Sequence, residues 1–407
     1  MNCKICGNSN LSLLHDFGMI PVAGYLVDSM QEALAEGKFS NFLVHCLKCG
    51  LVQQGETHFQ DSLIDKVYSN YQPTYSMSSK VRKYMSLFIE EAMGFSGVKN
   101  GIVLEIGSND GSMFDILRMK GVRPAGIDPS AVVPASEEDV IVVRDFFSTP
   151  VAKDFANKYG LVKLLFSRHT LEHVFDPIDF MDAVSLVLDD QGVAVIEVPY
   201  LPAQLNGNQY GAMTFQHISF FTLACLKYLG ELHGLFMLKT KLSRMDGGSI
   251  VVYFAKHAGE GDSSMAGLLE LEKASGMTSL QELLLKYRAI EDSISLTREH
   301  IIKLREKSLY IVGYGAGGKG QAMLNMLDLP HNIITHVVDD TPSSKGKYIP
   351  GTGTKIIDSA DAYFSDADFA LITAPTHIDE IVAKEQPRHP RITFIRTSPD
   401  LSYVSNL

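Results

Sequence analysis

From residue 101 onward, short apolar runs alternate with amphipathic stretches. GIVLEIG (101–107), VRPAGID (122–128), VIVVRDF (140–146), LVKLLFS (161–167) and VAVIEVP (193–199) read as strands. SMFDILRMKG (112–121) and DPIDFMDAVSLVLDD (176–190) lie among them and read as helices. This alternation predicts a parallel sheet covered on both faces. The series closes differently: FMLKTKLSR (236–244), then DGG, then SIVVYFAKH (249–257) predict two strands around a tight turn, an antiparallel edge. The polar, glycine-rich stretch AGEGDSSMAG (258–267) predicts a domain boundary. Beyond it Leu280, Leu283, Leu284, Tyr287, Ile290, Ile294, Ile301 and Leu304 recur at mostly helical spacing, a long helix leading to a second strand–turn–helix at 309. Ahead of the sheet stand a tyrosine-rich loop, VYSNYQPTYSMSS (67–79), and an amphipathic helix, KVRKYMSLFIEEAM (80–93). The fold class is α/β, in three parts: a small N-terminal lobe over 1–60, a central domain over 61–258 with its preceding helical segment, and a C-terminal Rossmann-like domain over 259–407.

Composition narrows the function classes. With 407 residues, 45% of them hydrophobic and 20% charged, the chain can build more than one large core. A net charge of -11 argues against nucleic acid and against an anionic membrane as partners. No apolar run has membrane-spanning length, and the opening MNCKICGN lacks the features of a signal peptide, so the expected location is the cytoplasm.

Four of the five cysteines form two C-x-x-C-G pairs, Cys3/Cys6 and Cys46/Cys49. In a reducing compartment such doubled pairs point to a metal rather than to disulfides. Four thiolates suit tetrahedral Zn2+ and leave no open position for water, so the predicted zinc is structural and remote from chemistry. The long segment between the pairs must fold as a lobe. Cys225, in an apolar helical stretch, reads as core.

Two glycine turns carry the ligand chemistry. The later one, GYGAGGKG (313–320), fits G-x-G-x-x-G through Gly313, Gly315 and Gly318, with Asp339 near the position of a ribose-binding acid. It nearly spells a phosphate-binding P-loop as well, but Gly320 stands where a magnesium-binding hydroxyl belongs. The earlier turn, LEIGSNDGS (104–112), is neither motif. Glu105 sits at its strand end, and Gly107 and Gly111 flank a polar turn containing Asn109, which lets a ligand approach the backbone closely. Acids here repel a pyrophosphate but suit a sulfonium with an amino group. Asp128 ends the next strand, where a carboxylate reaches ribose hydroxyls. Asp145 and Phe146 follow the third, offering an edge acceptor and a flat wall to adenine. Together with Ser167 at the end of the fourth run, these residues predict an S-adenosyl-L-methionine (AdoMet) pocket.

The pieces in combination resemble the sugar C-methyltransferases, class I AdoMet-dependent enzymes that methylate keto-deoxysugars carried on a nucleoside diphosphate. The resemblance rests on the C-x-x-C-G…C-x-x-C-G-L-V-Q opening, EIGSNDG, DGGSIVVY and GYGAGGKG…VVDD…GKYIPGT, and it covers nearly the whole chain. It implies structural zinc, AdoMet in the middle domain, and a C-terminal domain that helps hold the nucleoside-diphosphate sugar through residues such as Gly315 and Lys319. On this reading the second glycine turn is a phosphate-facing wall or a relic rather than a nicotinamide site.

Methylating carbon requires a base for a C–H beside a ketone, a donor for the enolate oxygen, and alignment with the methyl group. FSRHTLEHVFDP (166–177) and FQHISFFT (215–222) follow the fourth and fifth runs, where such groups belong. His217 is the expected base and His173 an electrophilic or second acid–base group, and both match catalytic histidines that the resemblance implies. His169 reads as structural. The resemblance also places a tyrosine from the 67–79 loop in the sugar site, with Tyr68 and Tyr71 as catalytic candidates and Tyr75 beside the substrate. Two departures stand out. Gln216 precedes the base where the family often has Glu, and Phe215 stands where a tyrosine can occur; Gln216 is expected against the substrate. RHTLEH is also richer in charge than the family pattern. The acceptor atom could therefore be oxygen or nitrogen. The rival classes are a nicotinamide-dependent dehydrogenase or epimerase, and a zinc-containing binding protein with an inactive methyltransferase core.

Overall fold

A computed structural model describes residues 1–55, 79–130, 138–259, 263–277 and 279–404. Tyr68, Tyr71 and Tyr75 lie outside the described residues. The N-terminal lobe is an antiparallel sheet of β1 (Leu11–Pro21), β2 (Lys38–Cys46) and β3 (Val52–Gln54). The central domain supplies β4 (Ile102–Ile106), β5 (Arg123–Ile127), β6 (Ile141–Val143), β7 (Val162–Arg168), β8 (Leu188–Pro199), a two-residue strand β9 (Ser219–Phe220), and the hairpin β10 (Phe236–Ser243) and β11 (Ser249–Ala255). Seven of these form one sheet in the order β6-β5-β4-β7-β8-β11-β10. The neighbours from β6 to β8 pair in parallel, and β11 runs antiparallel to both β8 and β10. That is the class I methyltransferase sheet with its antiparallel edge, as expected.

The strands are buried on both faces, so their side chains sort by the period-two alternation of a pleated strand. Along β4, Leu104 and Ile106 enter one core with Leu165, Ile196, Phe180 and Val184. Val103 enters the opposite core with Phe88, Ile89, Phe166 and Val195, under the helix Ser79–Ser96. The helix Ser263–Ala274 lies beyond the expected boundary yet packs on the central domain. Its Met265, Leu268 and Leu269 meet the first core, and the buried Glu272 accepts from Tyr200 Oη at 2.8 Å and the Ala224 N–H at 3.0 Å.

The long helix runs Leu280–Glu306 and is capped by Ser279, whose hydroxyl accepts from the Glu282 N–H. It buries Leu283, Tyr287, Ile290, Ile301 and Leu304, while Leu284 is exposed. It leads into β12 (Ile311–Tyr314), β13 (His336–Val338), β14 (Lys355–Ile357), β15 (Phe369–Ile372), β16 (Thr393–Arg396) and β17 (Ser402–Val404). Their order, β14-β13-β12-β15-β16-β17, is parallel except for the last pair, a Rossmann-like sheet.

The lobe is not a free-standing appendage. Its β3 pairs antiparallel with β9 of the central domain, and Cys3, Cys46 and Leu51 belong to the central core. A further core joins Leu14, Leu43 and Val52 of the lobe to Tyr210, Met213 and Phe215 of the central domain and to Met323 and Leu371 of the C-terminal domain. Among the described residues no helix is long and apolar enough to cross a membrane.

Candidate active site

The carboxyl ends of β4, β5, β6 and β7 lie side by side, because parallel neighbours end at the same edge. Ligands of open α/β sheets bind at that edge. Glu105 is buried there, and one of its carboxylate oxygens has no hydrogen-bond partner among the described residues. Burial pushes its carboxyl well above the usual range, with the Arg168 guanidinium pulling the other way. The turn Gly107–Gly111 follows, with Gly107 at φ 74°, Asn109 at φ 47° and Gly111 at φ 68°, all left-handed. A Cβ on Gly107 would stand 2.2 Å from Thr170 Oγ1, so the turn also needs glycine to clear the next strand's loop. Asp128 takes the Asn109 N–H on Oδ2 and the Ser130 N–H on Oδ1, both at 2.8 Å. Each carboxylate oxygen keeps a lone pair, so the same group can tie the turn and receive ribose hydroxyls. Asp145 and Phe146 are exposed beyond β6, and Asp145 Oδ1 accepts the Phe146 N–H at 2.8 Å. Ser167 is fully buried at the end of β7, and its hydroxyl has no partner among the described residues. Orphaned polar atoms, a glycine cradle and an exposed aromatic fit AdoMet's amino acid, ribose and adenine portions.

Beyond this cradle the chain brings together groups far apart in sequence. Arg168 Nε meets Glu197 Oε2 at 2.7 Å, nearly out of solvent, and Tyr84 Oη donates to the same carboxylate at 2.6 Å. Neither residue stood out in the sequence; the only signal was charge at the ends of apolar runs. Past Arg168 the backbone turns through His169, at φ 50°, into a short helical turn Leu171–His173. His173 Nδ1 donates to the Gln216 carbonyl at 2.6 Å, and the His173 and His217 rings meet edge-on with centroids 5.1 Å apart. The two expected histidines thus share one site. His217 is buried, with Nδ1 unpartnered among the described residues. Burial, then the charges of His173 and Lys319, hold its pKa well below the ordinary value.

His169, which reads as structural in the sequence, also lies among these groups. Its side chain is partly buried, with Nδ1 3.3 Å from Glu172 Oε1 and 3.7 Å from Asp246 Oδ2. Burial lowers its pKa, but Glu172, Asp246 and Glu197 outweigh that and raise it. Asp246 comes from the DGG turn of the β10–β11 hairpin. Its carboxylate meets Lys319 Nζ at 2.8 Å, and its backbone carbonyl accepts from the same ammonium at 3.1 Å. Lys319 and His169 hold the Asp246 carboxyl well below the usual range against its burial. Lys319 therefore reaches the site from the second glycine turn as an ion-pair partner. Glu172, His169 and Asp246 escaped sequence reasoning because nothing local says that three loops converge.

Lobe residues hold the His217 loop. Asn41 Nδ2 donates to the Met213 carbonyl and Gln54 Nε2 to that of Thr214, each at 2.8 Å. The Gln54 N–H donates to the Ile218 carbonyl at 2.9 Å, and the Gln216 amide donates to the Ala23 carbonyl. Gln216 thus points its amide at the lobe. At the second glycine turn, Gly315 has φ 111°, and a Cβ there would stand 2.6 Å from Ala374 Cβ. Asp339 Oδ2 accepts the Ala316 N–H at 2.7 Å, and the Gly24 N–H donates to Gln321 Oε1 at 2.9 Å. The lobe therefore roofs the helix start where a dinucleotide phosphate would sit. A small open cleft lies beside it, between Lys319, the 208–212 segment and the ends of β15 and β16.

The four expected cysteines form one cluster, with Cys3 Sγ 3.4 Å from Cys49 Sγ and Cys6 Sγ 3.5 Å from Cys46 Sγ. The Cys49 hydrogen bond brings the Cys3 thiol down to about 5. Four converging thiols with a ready thiolate fit tetrahedral zinc and leave no open coordination position.

Three family models match the chain in succession: a zinc binding domain over residues 3–63, a methyltransferase domain over 77–240, and a C-methyltransferase C-terminal domain over 244–398. The C-methyltransferase NovU of Streptomyces niveus is 28% identical over 393 residues, 94% of this chain and 92% of that protein. Among solved structures, the 1,6-didemethyltoxoflavin-N1-methyltransferase of Burkholderia thailandensis, with bound 1,6-didemethyltoxoflavin and S-adenosylhomocysteine, is 13% identical. The match covers 53% of this chain and 99% of that one, at a TM-score of 0.38. The magnesium protoporphyrin IX methyltransferase of Synechocystis PCC 6803 is 12% identical over 48% of this chain and 93% of its own, at a TM-score of 0.34.

Proposed function

Because this chain belongs to the AdoMet-dependent C-methyltransferases, with an N-terminal zinc binding domain, we propose that its acceptor is a keto-deoxysugar carried on a nucleoside diphosphate, methylated on carbon through an enolate. One observation carries the reading. Two histidines from separate loops meet at the carboxyl edge of the methyltransferase sheet, facing the C-terminal domain. Glu105, Asp128 and Ser167 would hold AdoMet, which would supply an electrophilic methyl on its sulfonium.

His217 is the base. Burial keeps its imidazole neutral, so a lone pair is available to take the proton from the carbon beside the ketone. The C–H electron pair would pass into the enolate, whose carbon would be the nucleophile for the methyl that AdoMet would supply, S-adenosylhomocysteine taking the electrons of the broken S–C bond. His173, with Nδ1–H committed to the Gln216 carbonyl, carries a lone pair on Nε2 when neutral, so it serves as a second acid–base group and donates to the enolate oxygen only in its protonated form. The carbonyl bond sets this tautomer. The open cleft beside Lys319, next to the second glycine turn with Gly315, is the proposed contact of the C-terminal domain with the nucleotide-sugar. The Tyr68, Tyr71 and Tyr75 segment remains a proposed contributor to the sugar site.

The test is a methyl-transfer screen over keto-sugar nucleotides, read by mass, with the methylated atom located by NMR. A methyl on carbon, preceded by solvent deuterium exchange at that carbon, is the expected outcome. A methyl on oxygen or nitrogen refutes the enolate. The His217→Ala variant should bind AdoMet normally and lose ~10²–10⁴ in rate, the usual contribution of a positioned base.

A further inference from the structure

We infer that Glu172 is the carboxylate of the acid–base centre, supplying from the β7 loop the negative charge that Gln216 cannot supply beside His217. The inference rests on the enolate reading above and adds a positioning residue to it. The Glu172 side chain is 2% exposed, and neither carboxylate oxygen has a hydrogen-bond partner among the described residues. A buried carboxylate without hydrogen bonds is costly, so its neighbours must supply counter-charge. Those neighbours are imidazoles. His169 Nδ1 lies 3.3 Å from Oε1, and His173 Nε2 lies 3.9 Å from it. Ligand-capable atoms of Glu172, His173 and His217 all fall within 4.8 Å of one another.

The remaining charges around the group are themselves paired. Asp246 faces His169 and meets Lys319, and Glu197 meets Arg168. Glu172 is the carboxylate here without such a partner from Lys or Arg among the described ion pairs. Gln216, by contrast, gives its amide to the Ala23 carbonyl and carries no charge. The Ile218 N–H donates to the Glu172 carbonyl at 2.7 Å, so the same residue also ties the helical turn to the His217 loop.

The proton balance follows. The substrate carbon gives its proton to an imidazole nitrogen of His217 or His173. The electron pair of the broken C–H bond goes to the enolate. The new imidazolium lies against the Glu172 carboxylate, which is a charge partner and not a proton acceptor in this step. After methyl transfer the imidazolium returns its proton to solvent.

The experiment compares wild type, E172Q and the exchange variant E172Q/Q216E. E172Q keeps the shape and removes the charge. It should retain its zinc and its AdoMet affinity, and lose up to ~10² in solvent deuterium exchange and in methylation. The double variant should recover activity over E172Q, since the Ala23 carbonyl that accepts from the Gln216 amide repels a carboxylate there and turns it toward the histidines. NMR titration of the histidine rings supplies a readout that needs no substrate. Losing an anion at this distance should lower the His169 pKa by about 1–3. An unshifted His169 titration overturns the inference, as does wild-type exchange in E172Q. A methyl found on oxygen or nitrogen in active wild type would instead refute the enolate reading, and the ring titration alone would then judge Glu172. Binding of a second divalent ion beyond the zinc, lost in E172Q, would make the carboxylate a metal ligand and overturn the inference.

Discussion

The His217 loop should owe its position to two buried amides of the zinc lobe. Asn41 and Gln54 each donate at 2.8 Å to consecutive loop carbonyls, of Met213 and Thr214, and both side chains are almost wholly out of solvent. Replacing either by Leu leaves a buried carbonyl without its donor, at a cost of ~1–3 kcal/mol. Leu also removes an amide oxygen, and both amide oxygens lack partners among the described residues, which offsets part of that cost. About 1–1.5 kcal/mol per site is therefore expected, or ~2–3 kcal/mol for Asn41→Leu with Gln54→Leu. At 1.4 kcal/mol per factor of ten, that weakens the closed loop by ~10–10². The methylation rate should fall by that factor wherever the closed loop is only marginally favoured. AdoMet affinity, measured by calorimetry, should stay within about twofold, because Glu105, Asp128 and Ser167 sit on strands these amides do not touch. Gln53 makes a useful control: it pairs with Asn2 and Lys4 on the other side of β3. The reasoning fails if the rate is unchanged, or if AdoMet binding weakens in step with it.

Three further outcomes are expected. Elemental analysis should find one zinc per chain, and chelation should loosen the lobe and suppress methyl transfer while AdoMet still binds; zinc binding contributes ~10–16 kcal/mol in small zinc-finger peptides, and a zinc-free native protein would refute the assignment. Asp128→Ala should weaken AdoMet binding by about 10–10²-fold, the worth of one hydrogen bond to a charged group at ~1.5–3 kcal/mol; unchanged affinity by calorimetry would refute the ribose placement. His217 is held below 6.5 in the fold, so between 6.5 and its folded pKa the unfolded chain binds the extra proton and stability falls as pH falls. Urea unfolding at about pH 7.5 and 5.5 should therefore show a smaller acid loss in His217→Asn than in wild type, and equal losses would place the titration elsewhere.

What the sequence determined by itself was whatever depends on local pattern. The central strands are apolar at consecutive positions because both faces are covered, and such runs stand out without any partner in view. Cys3, Cys6, Cys46 and Cys49 announce a tetrahedral thiolate site because each pair spans a single tight turn. Glu105, Gly107, Gly111 and Asp128 could be placed because parallel strands end at one edge, whatever lies beyond it. His173 and His217 could be singled out for the same reason. Tertiary structure alone decided what meets across that edge. The pairing of β3 with β9 makes the zinc lobe part of the scaffold of His217. The hairpin turn carries Asp246 to Lys319 and His169, which neither glycine motif foretells. Glu172 illustrates the reason most plainly. In sequence it is an acid beside a histidine in the stretch after the fourth apolar run, with nothing local to single it out. Only the convergence of the β7 turn, the lobe-held loop and the hairpin removes it from water, and desolvation is what turns an ordinary carboxylate into a charge its neighbours must answer.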